Sequence, residues 1–319
     1  MPEDRNNPVV AFLLPAYNEE AVLPHTIEVL QEKLQELISA SEINAASFML
    51  FIDDCSTDKT FFILKKDASA QVRAIRLSAN SGHQNALLAG MHYVTGKVDC
   101  AISMDADLQD DVGVVNKMIR EFKDGAHVVY GVRENRTADT RYKKNTALLF
   151  YRLMKWMGVK VVYNHADFRL LSNTVLTEFR KYKEVNLFLR GIFPKMGFKT
   201  AYVYYDRLER KAGATKYPFR KMFALAVNGI TSFSSVPLKL ITWMGLIVFI
   251  ISLFLSLWVL YVVIRHSNVP GWASTTLAIY FLGGIQLLAI GILGEYISKI
   301  YLETKQRPHY HIEEQTYNG

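Results

Sequence analysis

Residues 103–111 read SMDADLQDD, four carboxylates and a glutamine directly after an apolar run. Two acids spaced i, i+2 at the end of a strand point to the same side. Such a pair can share one hard cation: Mg²⁺ takes oxygen ligands, one or two carboxylates plus substrate phosphates. Asp105 and Asp107 therefore offer a seat for a metal and a diphosphate, with Gln109 and Asp110 beside them. A solvated acid cluster is the competing reading, and only the surrounding elements separate the two. Other reactive types nearby are less informative. His83, His165 and Cys55 have no spacing that suits zinc. His83 is expected in a loop, hydrogen-bonded to backbone, and Cys55 as a small buried filler.

The positioning elements follow from the pattern. Apolar runs at 8–14 (PVVAFLL), 47–54 (SFMLFIDD), 72–77 (VRAIRL), 99–107 (DCAISMDAD) and 127–133 (HVVYGVR) read as strands. Helical patterns lie between them: Ala21 to about Ile38, a capped segment from Ser56, the ALLAGMHYV segment, and 112–123. Alternating strands and helices imply an α/β fold with a mostly parallel, Rossmann-like sheet. Ligands in such sheets gather beyond the C-terminal strand ends. Tyr17, Asn18, Asp54, Asp105 and Asp107 all fall there, which favours a site over a random acid cluster.

The second half of the chain changes character. The protein has 319 residues, a formal net charge of +7 and half its residues hydrophobic, yet its mean hydropathy is only +0.08. The apolar residues are concentrated. Leu240 to Ile264 and Ser267 to Gly294 carry no Asp, Glu, Lys or Arg. Each exceeds the roughly 20 residues that cross a bilayer core, and neither shows the polar face of a globular core helix. They read as a two-helix transmembrane hairpin, about 240–264 and 271–294, joined by a short turn. The polar N-terminus MPEDRNNP is no secretory signal. Arg220, Lys221, Lys239, Lys299, Lys305 and Arg307 flank the outer ends, against Arg265 alone in the turn. The positive-inside rule then puts both termini and the N-terminal domain in the cytoplasm. Two cysteines, Cys55 and Cys100, suggest no disulfide framework, in keeping with that side. There the glycosylation-like triplet at Asn135 has no meaning. No Lys/Arg run suggests nucleic acid, and the basic excess suits anionic lipid.

Between the two parts, a basic aromatic helix is expected over 141–157. Phe219, Met222, Phe223, Ala226, Val227, Ile230 and Phe233 recur at helical spacing beside Arg220 and Lys221. That reads as an amphipathic helix in the membrane interface. The expected organisation is a catalytic domain over 1–216, an interfacial region over 217–236, the hairpin over 237–300 and a cytoplasmic tail over 301–319. Small residues in FLGGIQLLAIGILG would let helices approach closely, so a homo-oligomer is possible.

The ordered motifs PAYNEE, FIDDCSTDKT, SANSGHQNALLAG, MDADLQDD, YGVR, ADFRLLS and RKAGATKY, with the two apolar runs and the tail GEYISKIYLETKQRPHY, resemble family 2 glycosyltransferases of the GT-A fold. Within that family the chain is similar to polyprenyl-phosphate glycosyltransferases: dolichol-phosphate mannose synthase and, more closely, the bacterial GtrB-type enzymes that glucosylate undecaprenyl phosphate (bactoprenol). The resemblance implies inverting transfer from a nucleotide-sugar to a lipid phosphate at a bacterial-type inner membrane. It implies UDP-glucose as donor and Mg²⁺ or Mn²⁺ as cofactor. GDP-mannose or another UDP-sugar is the alternative donor. A processive polysaccharide synthase would add a Gln-x-x-Arg-Trp motif and more spans, and neither is present. A scaffold or flippase with a degenerate transferase domain is the non-enzymatic alternative.

The resemblance also assigns residues. Asp54 would accept a hydrogen bond from the nucleobase, with Asp53 nearby. Pro15, Tyr17 and Glu19 would line the base and ribose pocket. Asp105, Asp107 and Gln109 would hold the metal against the diphosphate. Arg133, Arg210 and Lys216 would face the acceptor phosphate. Asp167 would orient the acceptor rather than act as base, because a phosphate monoester is already ionised; a structural salt bridge to Arg169 is the other option. Three departures concern loop details and acceptor contacts: Asp111 and Val112 where Pro often follows DLQD, Ala214 where Glu or Ser is common, and SANSGHQ in place of SRNFGHQ.

Overall fold

The protein was analysed as a computed structural model that describes residues 3–133, 165–184, 189–206, 236–264 and 272–317. The helices expected over 141–157 and 219–233, the turn between the apolar runs, Ala214, Arg210 and Lys216 lie outside these residues. Two compact units emerge: one holds the described residues up to 206 together with those from 306 onward, the other the two long apolar helices.

The first unit is built on an eight-stranded sheet. Its strands are β1 (Val10–Ala16), β2 (Phe48–Asp53), β3 (Val72–Leu77), β4 (Cys100–Ser103), β5 (Val128–Arg133), β6 (His165–Ser172), β7 (Thr200–Tyr205) and β8 (Ile312–Gln315), in the order β7-β5-β6-β4-β1-β2-β3-β8. β1, β2, β3 and β4 pair in parallel, as do β5 and β7. β6 runs antiparallel between β4 and β5, and β8 antiparallel to β3. The sheet is thus mixed, with a parallel majority. Central parallel strands covered on both faces are apolar throughout: all six residues of β2 are buried, and β1 is buried except at Pro15.

Among the described residues of this unit, the α-helices are α1 (Leu23–Ser39), α2 (Thr60–Lys66), α3 (His83–Val94), α4 (Val115–Lys123), α5 (Asn173–Phe179) and α6 (Leu189–Lys195). α1 buries Leu23, Thr26, Ile27, Leu30, Leu34 and Leu37, one stripe at helical spacing. At Gly90 of α3 a Cβ would come within 2.7 Å of the Ile52 Cδ1, so glycine lets that helix lie close to β2 with the Ile52 side chain undisturbed. Register sets the geometry of the site. Ala16, Asp53 and Arg76 stand side by side across β1, β2 and β3, and Ser103 pairs with Leu13 and Arg169. The loops after β1, β2 and β4 therefore leave the sheet at one edge.

The second unit contains α7 (Val236–Ile264) and α8 (Trp272–Lys305). A groove between them is lined by Ile241, Gly245 and Val248 from one helix and Leu282, Ile285 and Ala289 from the other. Large apolar side chains on both face outward, Trp243, Phe254, Trp258, Leu287 and Ile290 among them. Among the described residues, one segment (Ile285–Lys305) has the length and composition to cross a membrane.

Candidate active site

The loops after β1 and β2 are tied together by short-range bonds. Asp54 N–H donates to Ala16 O, and the Asn18 N–H to Ser56 Oγ at 2.9 Å. Asn18, at φ +54°, accepts from Thr57 N–H at 2.8 Å, and Glu19 N–H donates to Thr60 Oγ1. Asn tolerates this left-handed conformation better than most residues. Tyr17 is left 46 % exposed at the rim, with Pro15 and Glu19 half-buried behind it.

Asp53 and Asp54 face inward. Asp53 is fully buried; its carboxylate accepts from Ser56 N–H and lies 3.5 Å from Arg76 Nε. Asp54 accepts from Ser81 N–H at 2.7 Å and from Gly82 N–H at 2.9 Å, one to each oxygen. Burial raises both pKa values, against the pull of these backbone donors. Asp54 thus holds the loop that opens α3. Gly82 has φ +85° and ψ 155°, a region open essentially to glycine alone.

Strand β4 stops at Ser103, so the Asp105-Ala106-Asp107 segment is a turn and not a strand end. The last sheet-like bond on that side is Met104 N–H to Leu13 O. The alternation nevertheless persists: Met104 and Ala106 are buried, while Asp105 and Asp107 are partly open. Thr26 Oγ1 fixes the turn by donating to Ala106 O at 2.7 Å. The Asp105 side chain keeps 39 % exposure, yet protein crowds its carboxyl. Desolvation pushes its pKa up to about 6; His83 opposes this, and the carboxylates of Asp110, Asp167 and Asp107 reinforce it.

Like charges concentrated here suit a hard cation. Asp105 and Asp107 are the two carboxylates here that could hold a phosphate-bound divalent cation. No group of three or more His, Cys, Asp or Glu among the described residues is arranged to hold a metal by itself. Gln109 is 3 % exposed and belongs to the interior rather than to this open pair.

Arg133, expected to face the acceptor phosphate, donates to Asp110 Oδ1 at 2.9 Å, and Tyr205 Oη donates to the same oxygen. Asp110 is buried, and the Arg133 side chain is 21 % exposed. Burial lowers the Arg133 pKa, but Asp110 and Tyr205 outweigh it and raise the value. Arg133 therefore anchors the acidic loop. Cys55 is also unlike its expectation: half-buried, at φ +60°.

Asp167 is the hub of the site. Ser103 Oγ donates to its carbonyl, and its carboxylate receives Arg169 Nη2, Arg190 Nη2 at 3.1 Å and Arg190 Nε at 3.3 Å. His83 Nε2 lies 3.5 Å from Asp167 Oδ2 and 4.0 Å from Asp105 Oδ1. Burial alone would raise the Asp167 pKa; His83, Arg169 and Arg190 instead hold it well below the carboxylate range. Burial lowers the His83 pKa, but Asp167 and Asp105 outweigh it and raise the value. Arg169 is completely buried, so its charge is balanced by Asp167 inside the protein.

His83 and Arg190 are the site residues that sequence reasoning missed. His83 is the first residue of α3, not a backbone-bonded loop residue. Arg190 reaches Asp167 because Gln84 Oε1 accepts from Leu189 N–H, fastening α6 to the start of α3. The histidine stood inside the SANSGHQ motif and could have been found there; the approach of α6 has no local signature.

Loops gathered at the C-terminal ends of parallel strands in a mixed α/β sheet, with an acidic pair beyond β4, are the arrangement of the GT-A fold. The sequence profile of glycosyl transferase family 2 matches residues 11–180, and the chain belongs to that family. A second profile, the GtrB C-terminal hairpin, matches residues 236–300. The chain is 46 % identical to the uncharacterized glycosyltransferase YkoT of Bacillus subtilis (strain 168), over 98 % of this chain and 94 % of the relative. It is 39 % identical to the bactoprenol glucosyl transferase of Shigella phage SfX, over 94 % and 97 % of the two chains. The prophage bactoprenol glucosyl transferase homolog of Escherichia coli (strain K12) is 38 % identical over the same shares.

Proposed function

We propose that this protein transfers a hexose, glucose from UDP-glucose in the first instance, to a polyprenyl phosphate at the cytoplasmic face of a membrane. The observation that carries the reading is the meeting of His83 with both Asp105 and Asp167, which brings the acidic turn and a cation-lined carboxylate into one site. The relatives that share nearly the whole chain, and whose names specify bactoprenol, support the acceptor class.

Asp105 and Asp107 would hold Mg²⁺ or Mn²⁺, which when bound would neutralise charge on the leaving diphosphate. Tyr17, Pro15 and Glu19 border the nucleoside, and Asp53 and Asp54 shape the pocket through Ser56, Ser81 and Gly82. An oxygen of the acceptor phosphate forms a bond to the anomeric carbon. The bond from that carbon to the diphosphate oxygen breaks, and its electron pair leaves with the nucleoside diphosphate. A single displacement of this kind inverts the anomeric centre. The acceptor is already an anion, so no base is needed, and Asp167, held ionised by Arg169 and Arg190, is poorly suited to take a proton. Its role is to orient Arg190 and His83, whose partly exposed N–H donors meet the acceptor phosphate. Arg210 and Lys216 are the further candidates for that contact.

In this reading α7 and α8 span the bilayer, with outward Trp, Phe, Leu and Ile facing lipid, and the basic flanks keep the catalytic unit on the cytoplasmic side. The test uses purified protein, Mg²⁺ or Mn²⁺, undecaprenyl phosphate and a panel of labelled UDP- and GDP-sugars. Label in the organic-soluble lipid from one donor is expected. No labelled lipid from any donor, with folded protein, would overturn the reading in favour of a membrane scaffold.

A further inference from the structure

The chain does not end with the apolar hairpin. After α8 it adds β8 to the free edge of the catalytic sheet, antiparallel to β3. This strand, IEEQ, is polar, and its attachment is specific. Ser78 N–H donates to His311 O and Thr316 N–H to Ala74 O, while Ala74 N–H donates to Thr316 Oγ1. The Arg73 guanidinium lies 3.7 Å from the Phe48 ring centre and 4.2 Å from that of Tyr317. Tyr310 Oη lies 2.9 Å from His92 Nδ1, and Lys65 pairs with Glu314.

One side chain links this strand to the nucleotide loops. Arg76, on β3 opposite Glu314, places Nε 3.6 Å from Glu313 of β8 and 3.5 Å from buried Asp53. Its Nη2 donates to Ser56 O at 3.4 Å, and its guanidinium rests 5.1 Å from the Phe61 ring centre. Asp53 holds Ser56 N–H, Ser56 Oγ holds Asn18 N–H, and Asn18 adjoins Tyr17 at the pocket rim. The contacts therefore run from Glu313 through Arg76, Asp53 and Ser56 to the loop after β1.

We propose that Arg76 is a positioning residue for the nucleotide pocket, and that the C-terminal strand, through Glu313, fixes its orientation. Donor affinity is then set in part by the segment that follows the membrane hairpin. Arg76 touches no reacting atom. Its guanidinium balances Asp53 and braces the turn that carries Ser56, so its loss loosens the pocket while the acidic turn and the Asp167 cluster stay in place. The inference rests on the donor site proposed above.

The experiment measures binding of UDP and of GDP, each with Mg²⁺, to the full-length protein in detergent, alongside steady-state KM and kcat for the donor. Variants are Arg76→Met, Arg76→Lys and Glu313→Gln. Loss of a positioning contact one layer behind a site weakens binding roughly tenfold, so Arg76→Met should raise Kd and donor KM by about that factor with kcat within about twofold. Glu313→Gln should give a smaller change in the same direction, and Arg76→Lys should recover most of the affinity. Wild-type Kd and KM in Arg76→Met would overturn the proposal. So would a fall in kcat that matches the fraction of unfolded protein while KM stays fixed. Wild-type protein that binds neither nucleotide would overturn the donor-site reading itself, and this inference with it.

Discussion

Replacing Arg133 by Met separates two roles that its position in YGVR leaves open. In the structure its guanidinium binds Asp110, which is 1 % exposed and otherwise held at that oxygen by Tyr205. Removing one partner of a buried ion pair typically costs about 3–5 kcal/mol, because the remaining charge stays buried. Arg133 keeps 21 % exposure, so water can partly replace it; the lower end, about 3 kcal/mol, is the better figure. For a unit of this size, each kcal/mol moves the melting temperature by about 2–4 °C, which gives a fall of about 6–12 °C. Near-UV circular dichroism of the purified protein reads this directly. The Asp110→Asn/Arg133→Met double variant removes the stranded charge, so its melting temperature should lie above that of Arg133→Met. The coupling should be about 1–3 kcal/mol. An unchanged melting temperature together with a raised KM for polyprenyl phosphate would refute this reasoning and return Arg133 to the acceptor site.

Asp107→Asn should lower transfer by about 100-fold or more, the scale of losing charge stabilisation at a metal-assisted centre, with circular dichroism unchanged; full activity in that variant, or in excess chelator, would remove the metal assignment. Gly82→Ala should cost about 1–3 kcal/mol from backbone strain alone and loosen the Asp54 contact, which a urea midpoint would report. His92 is pushed down to about 4, first by burial and then by Arg180 and His309. Its folded pKa lies below the unfolded value of about 6.5, so the unfolded state takes up the proton first and stability falls as pH drops from about 6.5 towards 4. The loss should approach about 3 kcal/mol at most; His92→Gln should flatten this part of the profile in urea unfolding between pH 4.5 and 7.

What could be read from the sequence divides along a physical line. β2 and β3 are legible because consecutive apolar residues and their flanking turns are local properties, and the observed limits differ from the expected ones by a residue at most. Strand direction is not local. HADFRLLS reads as a motif, yet it becomes β6, inserted antiparallel between β4 and β5, and only that insertion carries Asp167 to the end of β4 beside Asp105. β8 escapes notice for the opposite reason: Ile312–Gln315 has no apolar run, because an edge strand with one neighbour is held by backbone bonds and charged side chains. The same distinction runs through the site. Residue types forecast where carboxylates collect, but not which cations meet them. Arg133 stands in the YGVR motif and Arg190 in no motif, yet neither sequence context says which carboxylate each will meet. Packing gives the first to Asp110 in the interior and leaves the second 40 % exposed against Asp167. An arginine already surrounded by a buried carboxylate and a tyrosine has little left for a substrate, whereas one at the mouth of a site can hold its carboxylate and still meet an incoming phosphate. That difference in exposure, absent from any motif, is the ground on which acceptor recognition is proposed for Arg190 and His83.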